Sequence, residues 1–220
     1  MRDLSAEKRL RREPEMSPTK IKYGKEKRFS HQKNVEVWRE LSGRNKFSPV
    51  EQYVTLADTS SEEYESMMDL SILDNPSQYH MVNRDMEKLT ILKKRYPLVP
   101  ADNFHHGDWS IVMNCGPLCH HGGIMYIDTM SEPDNTRPIA STMLAAAMNN
   151  CGPQTLICMN LCYTNPRRSK ALSLDKFFEN LKKHSLPKWK MIESADNQTA
   201  FTPPKTSVTQ MITFYFWREN

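Results

Sequence analysis

The chain has 220 residues, 38% of them hydrophobic: enough for one core of ordinary size, with no repeat of roughly 20–50 residues that would mark a solenoid. Its net charge of +4 is uneven, because Met1–Val35 holds eleven Lys/Arg against five Asp/Glu, a balance of +6 that leaves −2 for the rest. No run approaches the ~20 apolar residues of a membrane span, the charged start Met1–Arg12 is not a secretory signal, and an odd number of cysteines, five, points to reduced thiols in a cytoplasmic or nuclear, intracellular setting.

Residues 1–34 read as a basic tail, with Arg9, Arg11, Arg12, Lys20, Lys22, Lys25, Lys27 and Arg28 beside Pro14 and Pro18. Such a segment buries too little apolar surface to offset its ordering entropy, so disorder is expected, with docking on phosphates or an acidic partner as one role and plain solubilisation as the other. The folded domain is expected over 35–220. Val35–Leu41 predicts a short amphipathic helix, with Val37, Trp38 and Leu41 on one side and Ser42-Gly43 ending it.

From Pro49 a regular alternation sets in. Val50–Ala57 reads as a strand, and Ser60 or Ser61 starts a helix over Glu62–Leu73 that Asp74-Asn75-Pro76 stops. Gln78–Asn83 is a second strand, and Asp85 caps a helix Met86–Tyr96 with Leu89, Leu92 and Tyr96 on one face. Short Asn103–His106 and wholly apolar Gly123–Ile127 are the third and fourth strands, the latter as expected when both faces are covered. Arg137–Asn150 reads as a helix ended by Gly152-Pro153, and Gln154–Cys162 as a fifth strand. Ser173 caps Leu174–His184; Lys188–Glu193 and the aromatic, β-branched Val208–Arg218 are the last two strands, joined only by the loop Ser194–Thr206. The expected fold is α/β, a doubly wound, mostly parallel seven-stranded sheet finished by an antiparallel hairpin.

Three strand ends offer polar groups after an apolar run: Asn83-Arg84-Asp85, His106-Gly107-Asp108-Trp109 and Asp128. An open α/β sheet builds its ligand crevice along that carboxyl edge. This order and spacing resembles a class I S-adenosylmethionine-dependent methyltransferase, over Val50–Arg218. The resemblance implies S-adenosylmethionine as cofactor, Asp108 accepting the adenine amino group, and the bulky Trp109 against the ring. It implies ribose binding at the second strand's end, by Asn83 or, with a shifted register, by Asp85. At the first strand the family's glycine-rich turn is replaced by Ala57-Asp58-Thr59-Ser60-Ser61, which would face the methionine part of the cofactor.

Asp128, followed by Thr129-Met130-Ser131-Glu132-Pro133, stands where such enzymes hold the acceptor and is the candidate catalytic residue; an ordinary loop acid is the other reading. The sequence has neither the Asp/Asn-Pro-Pro-aromatic string of base amine methylation nor a lysine in the fifth strand for ribose methylation. Arg167, Arg168 and Lys170, beside Tyr163 and Asn165, could grip a nucleic-acid backbone while the aromatic stacks a base. With the basic tail, they tilt the partner toward RNA or DNA.

Cys115, Cys119, His120 and His121, with His105 and His106 nearby, have some metal-ligand character, but no second separated Cys/His pair completes a zinc pattern, so loop thiols and imidazoles rather than a metal are expected. Cys158 and Cys162 share one strand face, as do most of the fourteen methionines with core positions, and both groups read as packing. Two functions follow: a methyltransferase acting on nucleic acid, or a catalytically inactive relative of that fold serving as a binding or scaffolding subunit, to which loss of the glycine turn and Asn83 would belong. Another nucleotide-binding protein is a third, though no phosphate-loop string is present.

Overall fold

The computed structural model describes residues 18–44, 49–59, 63–115, 118, 122–129, 139–164, 188–192 and 209–219. Its elements are α1 (Pro18–Ser42), β1 (Gln52–Leu56), α2 (Glu63–Asp69), β2 (Tyr79–Asn83), α3 (Met86–Arg95), β3 (Phe104–His106), α4 (Trp109–Cys115), β4 (Gly123–Asp128), α5 (Ile139–Asn150), β5 (Thr155–Thr164), β6 (Trp189–Ile192) and β7 (Thr209–Arg218). The seven strands form one sheet in the order β3-β2-β1-β4-β5-β7-β6. β1 to β5 run parallel and β7 is antiparallel, as the sequence predicts, and β7 is inserted between β5 and β6.

Alternation along the strands divides the core between the two faces of the sheet. Val54, Val82, Met125, Ile127, Ile157, Met159 and Phe216 point to one side, where α4 and α5 cover them with Trp109, Met113, Leu144 and Ala147. Tyr53, Met81, Ile124, Tyr126, Leu156, Cys158 and Tyr215 point to the other, under Val35 and Trp38 of α1, Met67 of α2 and Leu89 and Leu92 of α3. Both faces are dry, which is why β4 and most of β5 are apolar without alternation.

Three elements differ from expectation. The short helix expected at Val35–Leu41 is the end of the 25-residue α1, so the stretch read as a disordered tail to residue 34 is helical from Pro18. The reason is its second half: His31, Asn34, Val35 and Trp38 are all buried, and the Trp38 indole N–H donates to the Gln154 carbonyl at 3.2 Å. Second, α2 stops at Asp69; Ser71 turns at φ 53°, and Ile72 and Leu73 drop into the core instead of extending the helix. Third, α4 was not expected: Trp109, Val112 and Met113, at helical spacing, pack onto the sheet. The expected helix Leu174–His184 and the loop Ser194–Thr206 lie outside the described residues.

Candidate active site at the carboxyl edge

The sheet reverses direction between β1 and β4: the chain winds from β1 out to β3, then crosses back to place β4 on the other side of β1. At such a switch point the loops leaving adjacent strands part and open a crevice at their carboxyl ends. Ala57 and Asp58 follow β1, Asn83 ends β2, Asp108 follows β3 and Asp128 ends β4. Four neighbouring strands therefore bring the sequence-predicted residues to one edge.

Their local geometry differs. Asn83 is held at both ends of its amide: Nδ2 donates to the Ala57 carbonyl at 2.6 Å, tying β2 to the exit of β1, and Oδ1 accepts the Asp85 backbone N–H at 2.8 Å. Asp85 caps α3, its Oδ1 accepting the backbone N–H groups of Glu87 at 2.9 Å and Lys88 at 3.3 Å, as the sequence predicts. Ala57 is buried, whereas Asp58 is exposed, with Lys88 Nζ 3.4 Å from its Oδ2. An exposed pair of this kind adds little stability.

At β3 the turn is specific to glycine. Gly107 has φ +147° and donates its N–H to the Asn83 carbonyl at 3.1 Å, and a Cβ there would meet Val112 at 3.2 Å. The turn leaves the Asp108 side chain exposed beside β2. Trp109 goes the other way: it is 3% exposed in the α4–α5 core, and its indole N–H donates to the Met143 carbonyl at 3.2 Å. Asp108 is thus exposed at the edge where β3 ends, while the Trp109 ring packs with α5.

The exit of β4 carries a polar network that sequence reasoning missed. Asn160 of β5, aligned with Asp128 across the sheet, donates from Nδ2 to the Tyr126 hydroxyl at 2.5 Å and lies 3.4 Å from Asp128 Oδ1. Its Oδ1 accepts from the Thr213 hydroxyl at 2.6 Å, and its backbone carbonyl receives both the N–H and the hydroxyl of Thr129. The half-buried Asp128 carboxylate thus lies beside an Asn160 side chain that is itself bonded to β4 and β7. A single Asn in the otherwise apolar run Leu156-Ile157-Cys158-Met159-Asn160-Leu161, level with an acid on the neighbouring strand, was the signal available.

Below this network the Tyr126 ring meets His31 of α1 edge-on, centroids 4.9 Å apart. His31 Nε2 is 3.8 Å from Glu63 Oε1 at the start of α2, with both side chains almost wholly buried. Burial raises the Tyr53 hydroxyl well above its ordinary pKa, and the Glu63 charge adds to the effect. Elsewhere, burial pushes the Cys151 thiol up to about 12 and raises Cys158 as well, so both act as core hydrophobes. Among the described residues no group of three His, Cys, Asp or Glu could hold a metal; Cys119, His120 and His121 lie outside them. His105 instead stacks on His80, and His106 contacts the Arg84 carbonyl. Arg167, Arg168 and Lys170 also lie outside the described residues.

No family model matches the sequence, and no curated protein does. Among solved structures, the chain is similar to the glycopeptide N-methyltransferase MtfA complexed with S-adenosyl-L-methionine, at 13% identity over 84% of this chain and 87% of that one, TM-score 0.49. TrmN from Thermus thermophilus gives 10% identity, 84% and 48% coverage and TM-score 0.49. A protein of Clostridium thermocellum assigned as an rRNA methylase gives 10%, 79% and 91%, and 0.47. The strand order, with a reversed seventh strand inserted between the fifth and sixth, decides the fold. The chain has the class I methyltransferase fold. Within that fold the turn after β1 has no glycine, and the exits of β1, β2, β3 and β4 share one edge of the sheet. No helix among the described residues is long and apolar enough to cross a membrane.

Proposed function

We propose that this methyltransferase fold binds S-adenosylmethionine and transfers its methyl group to a nucleic-acid acceptor. The observation that carries the reading is the convergence of Asp58, Asn83, Asp108 and Asp128 on one carboxyl edge at the switch point. The donor set suits the cofactor at its adenosine end. An exposed Asp108 behind a glycine-only turn can accept an exocyclic amine, and a site built to receive that hydrogen bond rejects bases lacking it, because the polar group would be left unpaired. When bound, the cofactor supplies an electrophilic methyl group on a sulfonium.

The chain's own residues then orient and desolvate. Asn83 holds the β1 and β2 exits together, so the crevice floor is rigid before any ligand arrives. Asp85 keeps its second carboxylate oxygen outside the α3 cap, where it can reach ribose hydroxyls; Asn83 keeps a second Nδ2–H and a second Oδ1 lone pair that can do the same. Asp128, held by Asn160, can accept an N–H or O–H hydrogen bond from the acceptor and steer its lone pair toward the methyl group. Holding the partners in near-attack geometry is the main source of rate. Arg167, Arg168 and Lys170 are proposed to take the acceptor's phosphates. A second reading, an inactive binding or scaffolding subunit, is favoured by the neutral Asn83 standing where the fold would carry a ribose-binding acid and by the missing glycines at Ala57-Asp58.

The test is methyl transfer from radiolabelled S-adenosylmethionine to total RNA and to DNA. Asp128→Ala should lower turnover by at least tenfold while cofactor affinity stays within about twofold. Transfer at the wild-type rate in that variant would remove Asp128 from the reaction.

A further inference from the structure

α1 runs from the carboxyl edge of the sheet to its amino edge. Trp38 bonds to Gln154, the residue before β5, whereas His31 lies against Tyr126, two residues from the end of β4, and beside Glu63 at the start of α2. The helix continues for 13 residues above His31, from Pro18 to Ser30, which is about 20 Å of rise. From Tyr126 to Asp128 the sheet rises only about 7 Å. The first half of α1 therefore overreaches the carboxyl edge by roughly 13 Å.

The two halves differ in charge. Residues 31–42 balance Lys33 and Arg39 against Glu36 and Glu40 and carry the buried anchors. Residues 18–30 hold Lys20, Lys22, Lys25, Lys27 and Arg28 against Glu26 alone, a net +4. At 100° per residue these five positions are distributed round the helix rather than along one stripe. A folded acidic protein surface would match a one-sided stripe, whereas a flexible polyanion can follow cations around an arm.

We propose that the first half of α1 is a cationic arm that holds the phosphate backbone of single-stranded nucleic acid at the crevice. The assignment of the crevice rests on the methyl-transfer reading; the arm's binding does not. Each phosphate neutralised on a single strand contributes about 0.7 to the salt slope.

The experiment measures polarisation of a labelled 20-nucleotide single-stranded RNA bound by the full chain across a sodium chloride series. Lys20→Gln/Lys22→Gln/Lys25→Gln/Lys27→Gln should bind at least tenfold more weakly at 0.1 M salt, with a slope smaller by about 2.8. Lys20→Gln/Lys22→Gln, farthest from the buried anchors, should give half that slope change with an unaltered circular dichroism spectrum. Lys93→Gln/Lys94→Gln on α3 should leave binding unchanged. Unchanged affinity and slope in both arm variants, an equal loss per charge in the α3 control, or equal displacement of the RNA by polyglutamate would each overturn the proposal. Calorimetry with S-adenosylmethionine on the same variants separates the two readings: a chain that binds RNA through the arm but no cofactor retains the arm and loses the enzyme.

Discussion

Asn160 uses its amide and its carbonyl to fix the exit of β4, and the residue scale shows what that costs to lose. Asn160→Ala leaves the buried Tyr126 and Thr213 hydroxyls without it, so urea unfolding should read a loss of about 1–3 kcal/mol with the secondary structure kept. Unchanged stability would show that these hydroxyls find other partners. His80 offers a pH test. Burial, with the neighbouring His105 charge second, lowers its pKa to about 4, and its Nδ1 lies 3.2 Å from His105 Nε2. The folded chain therefore binds fewer protons than the unfolded one between pH 6.5 and about 4. Stability is present in full above the ordinary histidine value and is lost as pH falls through that window, by about 3 kcal/mol at most. His80→Gln should flatten the pH dependence of urea unfolding there; an unaltered curve would assign it to other groups. The place of Asp128 at a strand end was legible because it follows the apolar run Gly123–Ile127, but the Trp109 ring was not, since sequence shows the residue and not which side of a seven-residue helix it takes.

At the scale of elements, strands read well because two dry sheet faces force continuous apolar runs such as Gly123–Ile127. Helices read well where a cap marks them, and Asp85 is the case in point: Asp85→Ala should cost about 1 kcal/mol, measured by thermal or urea unfolding, through loss of two backbone hydrogen bonds. No effect would mean that water replaces the cap. α4 escaped because Trp109–Cys115 is short and follows a turn without an obvious periodic run. α1 escaped because its first half is polar and interrupted by Gly24, while burial of His31, Asn34, Val35 and Trp38 ties its second half down. Trp38→Ala should destabilise the chain by about 3–5 kcal/mol, since the indole is fully buried against the sheet. A loss below about 1 kcal/mol would mean that α1 docks only loosely. Removing residues 1–35 as a supposed tail would delete three of these buried anchors, so charge substitutions are the cleaner probe.

For the whole molecule, the βα alternation was legible in the sequence, whereas the order β3-β2-β1-β4-β5-β7-β6 was not, because alternation fixes neither which strands are neighbours nor where β7 inserts. The turn after β1 has no glycine, Asn83 ties β2 to the exit of β1, and Asp108 is exposed after β3. An adenosine site anchored on β3 rather than on β1 is the account that unites these facts with the acidic edge and the basic arm. Its most direct test is calorimetric titration of the full chain with S-adenosylmethionine and S-adenosylhomocysteine, beside Asp108→Ala. The account predicts saturable one-site binding that falls at least tenfold in the variant, with the fold intact by circular dichroism; undiminished binding in Asp108→Ala, or none to the wild type at millimolar ligand, would contradict it.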